Sequence, residues 1–244
     1  MRNWISIDGI HLTQYGLHMA KLPLWPSAAE TVENTVIPGA PVEIGRRTGQ
    51  YPDFSLTLTG YLTNYPYNLP KINRLLQTGK KLIMSTQPHL YGVIRSVGQI
   101  SPSRIGTLAN ELQIPITFEP FKYSVQNYPL HFEGDKSPIN IQYFGNFYAE
   151  PVYRLTVDPE MLGAAFFTVN GVTVTILNPA IQTGTVIIDI PRKKIYTEQD
   201  GVLTIAQEYT TGNFWECVLQ PGDNTISWND HVTAVEITKN ERWL

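Results

Sequence analysis

Side chains that could bind a metal or attack a substrate are few in this sequence, and their spacing suits neither chemistry. None of the histidines lies at metal-ligand spacing from another histidine or from Cys217, the one cysteine. The neighbours Phe214, Trp215, Val218 and Leu219 predict that Cys217 is a small buried hydrophobe, with a reactive thiol as the alternative. The sequence has no P-loop, no G-x-S-x-G elbow and no G-x-G-x-x-G, so we predict no cofactor. The histidines are His11, His18, His89, His131 and His231.

Three carboxylates could in principle form the acid and nucleophile of a glycosidase. They are Asp189, Glu198 and Asp200. Asp189 follows an apolar run typical of a strand, whereas the other two precede Gly201 as in a turn. We therefore predict solvated loop carboxylates and no enzyme, with no catalytic and no metal-binding residues.

Aromatic side chains in the second half of the chain could stack on a sugar. The candidates for carbohydrate contact are Tyr209, Trp215 and Trp228. Tyrosine and tryptophan in the strands of a sandwich more often belong to the core, so this stays the alternative interpretation.

Length and charge predict two domains with different neighbours. At 244 residues the chain exceeds a typical domain of about 100–150 residues, and one large β-domain is the alternative. We place the boundary near Phe147, because residues 1–147 carry 12 basic and 9 acidic residues, whereas 148–244 carry 6 and 12. The net charge of −3 gives no reason to expect nucleic-acid or membrane binding, and no apolar run could span a bilayer. The lack of disulfides suits assembly in the cytosol.

The first domain is predicted to be a mainly antiparallel sheet carrying one helix. Leu56–Leu62 and Glu111–Glu119 alternate apolar and polar residues, as strands with one buried face do. Pro115 places the second of these at a sheet edge or a bulge. The helix is predicted over Pro70–Thr78, with Asn68 as its cap.

The second domain is predicted to be a β-sandwich. Short apolar and β-branched runs follow one another at regular spacing, with no helical period. Asn170-Gly171 lies between two such runs and predicts a tight hairpin.

A proline- and glycine-rich stretch at about residues 35–54 is predicted to be an extended hairpin arm. Pro38, Pro41 and Pro52 each remove a backbone donor, and Val42–Ile44 is too short to bury itself. The polar backbone of such a segment needs a partner, which is either a neighbouring subunit or the arm's own domain. The residues that we assign to a subunit interface are Val36, Pro38, Gly39, Val42, Ile44, Arg46, Arg47 and Tyr51.

Three features in order make the chain resemble the distal tail (Dit) proteins of siphophages, the long-tailed, non-contractile bacteriophages. They are the Pro-Gly arm that leads into the strand ending at Leu62, the helix at Pro70–Thr78 with its following strands, and a strand-rich C-terminal unit. The last unit contains the run Leu219–Trp228, which is similar to the family's ending L-x-P-G-x-N-x-I-x-W and is the most specific of the three.

The resemblance implies a mainly β fold and a structural role. It implies an N-terminal β-sandwich-like domain with one α-helix and a protruding hairpin arm, and a C-terminal galectin-like β-sandwich. In this family the N-terminal domain builds a hexameric ring at the virion tail tip, and the arm is a belt across the neighbouring protomer. Expected partners are five further copies, the tail tube protein, the tail-associated hub or lysin protein and a receptor-binding or baseplate protein. Assembly is expected in the host cytoplasm. The galectin sugar-binding pattern His-x-Asn-x-Arg is absent.

Overall fold

The chain divides into two compact units in a computed structural model. The model describes residues 3–35, 38, 44–63, 65–105, 109–160, 163–177, 180 and 184–244. The first unit comprises residues 1–125 with 243–244, and the second comprises residues 126–242.

The first unit is built on one antiparallel sheet and contains one α-helix, α1. The sheet runs in the order β2-β1-β7-β8-β10-β6-β3, with β9 paired to β10. A short 3-10 helix, Leu12–Tyr15, precedes β3. The elements are β1 (Ile5–Ile7), β2 (Ile10–His11), β3 (Leu17–Lys21), β4 (Val32–Thr35), β5 (Ile44–Arg47), β6 (Phe54–Leu62), α1 (Leu69–Thr78), β7 (Lys81–Met84), β8 (Leu90–Val97), β9 (Ser101–Ile105) and β10 (Ala109–Ser124).

The first sheet curls around a single core. Ile7 near one end of the strand order and Leu17 at the other end belong to the same buried cluster, together with Ile72 and Leu76 of α1. The helix therefore lies against the concave side of the sheet and covers apolar residues that would otherwise face water.

The predicted helix and the predicted central strand are both present, with two differences. Asn68 lies at the N-cap position of α1, as predicted, but its side chain makes no capping hydrogen bond, and its Nδ2 donates to the Tyr15 carbonyl at 3.0 Å. Pro115 lies inside β10 rather than on an edge strand, since β10 pairs with β6 along Asn110–Phe118. On the other side of β10, Pro115 falls between the stretch paired with β9 and the stretch paired with β8, so no ladder bond is lost there.

The second unit is a β-sandwich, as predicted. One sheet has the order β11-β21-β13-β16-β17-β18 and the other has the order β12-β20-β14-β15-β19, and their inner faces share one core. The strands are β11 (Leu130–Glu133), β12 (Ile139–Tyr143), β13 (Val152–Val157), β14 (Ala165–Val169), β15 (Val172–Ile176), β16 (Thr185–Asp189), β17 (Lys194–Gln199), β18 (Val202–Ile205), β19 (Thr210–Thr211), β20 (Gly222–Trp228) and β21 (Val232–Thr238). The last strand of the chain, β22 (Arg242–Trp243), belongs instead to the sheet of the first unit.

The units divide earlier in the chain than the predicted boundary near Phe147. The reason is that β11 pairs with β21 and β12 pairs with β20, so both early strands complete the sheets of the second unit. Among the described residues, no helix is long and apolar enough to cross a bilayer.

The run Leu219–Trp228 forms a turn that is fastened by one asparagine. The buried Asn224 carboxamide accepts from the Gln220 N–H at 2.7 Å and donates to the Gln220 and Gly222 carbonyls at 2.8 and 3.0 Å. Asn170 Nδ2, in the predicted Asn-Gly hairpin, donates to the Asn224 Oδ1 at 2.7 Å. The motif is thus explained by hydrogen bonds that hold two turns together.

Candidate functional site

The arm is a two-stranded antiparallel sheet of its own. β4 and β5 pair with Val32 opposite Arg47 and Thr35 opposite Ile44. In the described part of the chain neither strand joins the first unit's large sheet, and every residue of β4 is exposed. A lone two-stranded ribbon is marginally stable in water, and both of its outer edges carry backbone groups that a further strand could pair with.

The base of the arm is closed by backbone hydrogen bonds and one carboxylate. Thr31 N–H donates to the Gln50 carbonyl at 2.8 Å, and Thr48 N–H donates to the Thr31 carbonyl at 3.1 Å. The Glu30 carboxylate accepts from Gly49 N–H at 3.0 Å. Gly49 has a φ of +71°, a conformation that side chains other than glycine seldom adopt. These bonds fix where the two strands leave the domain.

The chain that enters the arm is anchored to the first unit by a buried tryptophan and a buried lysine. The Trp25 ring lies edge-on to Phe118 at 5.0 Å, and the Trp25 N–H donates to the Gln87 side chain at 2.8 Å. Lys122 Nζ donates to the Pro26 carbonyl at 2.8 Å. Burial lowers the pKa of Lys122 to about 8, because the ammonium is separated from water.

The predicted arm residues are only partly within the described part of the chain. Val36, Gly39 and Val42 lie outside it; Pro38 is exposed, and of Ile44 only the backbone pairing is described. The hairpin begins at Val32, three residues before the predicted start of the arm at about residue 35, and its second strand ends at Arg47.

The charged residues of the arm face solvent. Arg46 lies directly opposite Glu33 across the ladder, where opposite charges attract. Arg47 Nη1 is 3.8 Å from a Glu30 oxygen, but the Arg47 side chain is 82% exposed. An ion pair so open to water contributes little, and the guanidinium is accessible to a carboxylate from another chain. Tyr51, beyond the base, is half-buried with its ring 6.0 Å from the Phe121 ring.

The three aromatic candidates for sugar contact have different environments. Trp228 is buried in the core of the second unit, and its Nε1–H donates to the Gly134 carbonyl at 3.0 Å, so its ring packs against protein. Tyr209 also packs against that core. Trp215 is 47% exposed and is the one whose ring is open to a ligand.

The carboxylates considered for glycosidase chemistry have structural partners. Asp189 is buried and accepts from the Arg192 N–H and Nη1 at 3.0 and 3.1 Å. Glu198 does not lie in a turn, as the sequence suggested, but in β17, 2.6 Å from Arg154. Asp200 forms the β17–β18 turn with a positive φ. No group of metal-binding side chains occurs within the described ranges.

Cys217 is buried, as predicted. Burial raises the pKa of its thiol to about 12, so the thiolate required for nucleophilic attack is scarce at neutral pH.

Sequence reasoning missed the three residues that hold the arm in place. The alternation of β10 continues past Phe118 and would have placed Lys122 on the inward face. Trp25 lies just before Pro26 in an apolar segment, which could have indicated an anchor. Nothing local distinguishes Glu30, because its partner Gly49 is brought near only by the hairpin.

The comparisons with known proteins show the fold. No family model and no curated protein matches the chain. The crystal structure of the SPP1 Dit protein (gp 19.1), described as a paradigm of the hub adsorption apparatus in phages infecting Gram-positive hosts, is similar over 99% of both chains, with a TM-score of 0.70 and 12% identity. A chain of the phage p2 baseplate, in its activated conformation with Sr, is similar over 97% of this chain and 96% of that one, with a TM-score of 0.51 and 10% identity. The predicted mainly β fold and its resemblance to siphophage Dit proteins are confirmed.

Proposed function

We propose that this chain is a structural hub protein of a phage tail tip, without catalysis, that forms a hexameric ring. The observation that carries the proposal is the arm, a separate ribbon with exposed edges on a chain that shares the fold of SPP1 Dit over almost its whole length. Each arm crosses to the next protomer and is completed by it.

The geometry of the arm suits a ring of identical copies. In a cyclic assembly each interface joins two different surfaces, so a projecting arm on one protomer needs an unlike surface on the next. Strand addition would satisfy the backbone groups at the arm's open edge. Arg46 and Arg47 would then meet acceptors of the neighbouring copy, since both are exposed in the single chain.

The ring would join the tail to the adsorption apparatus. Its proposed partners are the tail tube protein on one side, the tail-associated hub or lysin protein on the other, and a receptor-binding or baseplate protein at the second unit. What supports this is the fold shared with a hub protein and with a baseplate component. The proposed location is the virion tail tip, after assembly in the host cytoplasm.

Removal of the arm tests the proposal. Backbone hydrogen bonds among Thr31, Thr48 and Gln50 hold the two strands together at the base of the arm. A short glycine linker can therefore replace Val32–Arg47 without disturbing that base. We expect the full chain to form a hexamer and the deletion variant to remain a folded monomer. Light scattering over a wide range of protein concentration gives the mass, and circular dichroism checks the fold.

Point variants distinguish a specific role of the arm in ring assembly from a general effect of the protein's charge. Arg46→Glu should weaken the ring, whereas the matched change Lys136→Glu, at an exposed lysine of the second unit, should not. A deletion variant that assembles into the same number of copies as the full chain would contradict the assignment of the arm.

One observation favours a second candidate, a carbohydrate-binding adhesion module. The exposed ring of Trp215 could stack on a host-wall saccharide. A glycan array probed with the full chain and with Trp215→Ala decides: selective binding lost in the variant supports this function, whereas no selective binding supports the hub alone.

A further inference from the structure

The outermost strand of the second unit, β18, is apolar and open. It is the last strand of its sheet in the described part of the chain, paired only with β17. Its three large apolar residues, Val202, Leu203 and Ile205, are 65%, 51% and 54% exposed. Edge strands of soluble proteins are usually protected by lysine, proline, a bulge or a covering segment, and β18 carries no lysine, proline or bulge.

The free backbone groups of β18 belong to two residues. β17 and β18 are joined by the two-residue turn Asp200-Gly201, and Ala206 N–H donates to the Ile195 carbonyl at 2.9 Å. In an antiparallel ladder, hydrogen-bonded pairs alternate with non-hydrogen-bonded pairs. Val202 and Thr204 therefore direct their N–H and C=O groups at β17, whereas Leu203 and Ile205 direct theirs at the open edge.

The charges around β18 decide what can pair with it. Asp200 precedes the strand and Glu208 follows it, and both are exposed. An antiparallel second copy that pairs Leu203 with Ile205 would bring the Asp200 end of one chain to the Glu208 end of the other. Two pairs of like charges would then oppose self-association. The second unit as a whole has 14 acidic and 7 basic residues over positions 126–242, which favours a cationic partner.

We propose that β18 is a docking edge for an extended strand of a different protein. The occupant is a segment with apolar residues at alternate positions and lysine or arginine at its ends. Its backbone pairs with Leu203 and Ile205, its side chains cover their apolar surface, and its cationic ends meet Asp200 and Glu208. This surface is independent of the arm, so the proposal holds or fails whether or not the ring forms.

The test uses the full chain and a synthetic peptide with blocked ends, Lys-Thr-Val-Thr-Val-Thr-Lys. Amide hydrogen exchange is followed by NMR with and without the peptide. We expect exchange at Leu203 and Ile205 to slow by about tenfold or more, because their amides gain partners. The amides of Val202 and Thr204, already bonded to β17, should change far less.

Two variants and one control peptide complete the experiment. Leu203→Pro removes an outward N–H without breaking the β17 ladder, and should abolish protection by the peptide. Leu203→Thr keeps the backbone and should weaken binding by removing apolar contact. The peptide Glu-Thr-Val-Thr-Val-Thr-Glu should bind at least about tenfold more weakly, because its ends oppose Asp200 and Glu208.

Three results would overturn the proposal. They are no saturable binding of the lysine peptide, equal protection in Leu203→Pro, and equal binding of the two peptides. Concentration-dependent protection of Leu203 and Ile205 without any peptide would show that the occupant is a second copy, which contradicts the partner proposed here.

Discussion

Replacing the buried Asn224 by alanine should destabilise the second unit more than replacing an exposed residue of the same unit. The Asn224 carboxamide makes four hydrogen bonds, to Gln220 twice, to Gly222 and to Asn170, all between 2.7 and 3.0 Å. Each contributes about 1 kcal/mol net, and any of these partners that is shielded from water after the substitution adds to the cost. Because Gln220 and Gly222 are exposed residues, water can replace part of the lost hydrogen bonds. The expected decrease in the free energy of unfolding is therefore about 3 kcal/mol for Asn224→Ala.

Native-state hydrogen exchange is the appropriate assay because the chain has two units that need not unfold together. Ile188 and Val235 are buried in the core of the sandwich, so we expect their amides to exchange only when the second unit unfolds and to report its unfolding free energy alone. Asp223→Ala is the matched control, since Asp223 is exposed in the same strand and should change stability by less than about 0.5 kcal/mol. A cost below about 1 kcal/mol for Asn224→Ala, with the Gln220 amide still protected, would refute the view that this side chain fastens the turn.

Three other predictions follow from the buried groups and from the base of the arm. The pKa of Lys122 is about 8 in the folded chain and 10.5 ordinarily, so the unfolded chain binds more protons between pH 8 and 10.5. The free energy of unfolding of the wild type, relative to that of Lys122→Met, should therefore rise by about 3 kcal/mol across this pH range. A difference that does not change with pH would contradict the burial argument. Glu30→Ala should speed amide exchange at Gly49 and in the arm, because the acceptor of the Gly49 N–H is lost. Glu30→Gln should speed exchange far less, because its amide oxygen still accepts from Gly49 and the lost ion pair to Arg47 is exposed. Equal effects of the two variants would mean that the charge of Glu30, rather than its hydrogen bond, holds the base of the arm. Cys217 should react with a thiol reagent near pH 8 only as fast as the second unit opens, since its pKa is about 12; rapid labelling of the native chain would contradict this.

Local pattern predicted the strands well because each strand has one buried face. The alternation over Leu56–Leu62 and Glu111–Glu119 corresponds to β6 and β10, and Asn170-Gly171 forms the predicted hairpin with positive φ at both positions. The hydrogen bonds of side chains that have several possible partners were harder to predict. Asn68 could bond the helix backbone beside it but bonds Tyr15 instead, and only the folded sheet brings Tyr15 within reach.

Non-local pairing also explains the domain boundary. Compositional change near Phe147 marked the start of the apolar strand runs, but β11 and β12 precede that point. They complete the two sheets of the second unit by pairing with β21 and β20, which lie 79 to 107 residues later in the chain. No local feature of β11 or β12 carries that information, since sheet membership is decided by the partner strand.

The candidate site was partly predictable for the same physical reason. Prolines and glycines remove donors and permit bends, so the existence of an arm followed from Pro38, Pro41 and Pro52 without knowledge of the fold. The start of the arm at Val32 could not be predicted, because the first strand of the hairpin, Val-Glu-Asn-Thr, has no proline, no glycine and no clear alternation of apolar and polar residues. The position of that strand is fixed by β5 across the ladder.

The arm and β18 are the two open strand edges discussed above, and their charges favour different kinds of partner. The arm carries Glu33 and Arg46 at one rung of its ladder, so both signs are presented together and a copy of the same chain can supply the complement to each. β18 presents apolar side chains between Asp200 and Glu208, so a copy of itself meets only its own sign. Like charges in close apposition oppose pairing while opposite charges steer it, and for this reason we propose an identical neighbour for the arm and a different protein for β18. Under these two proposals, a ring closed through the arms would leave β18 for an unlike component, because each edge favours a partner of different charge.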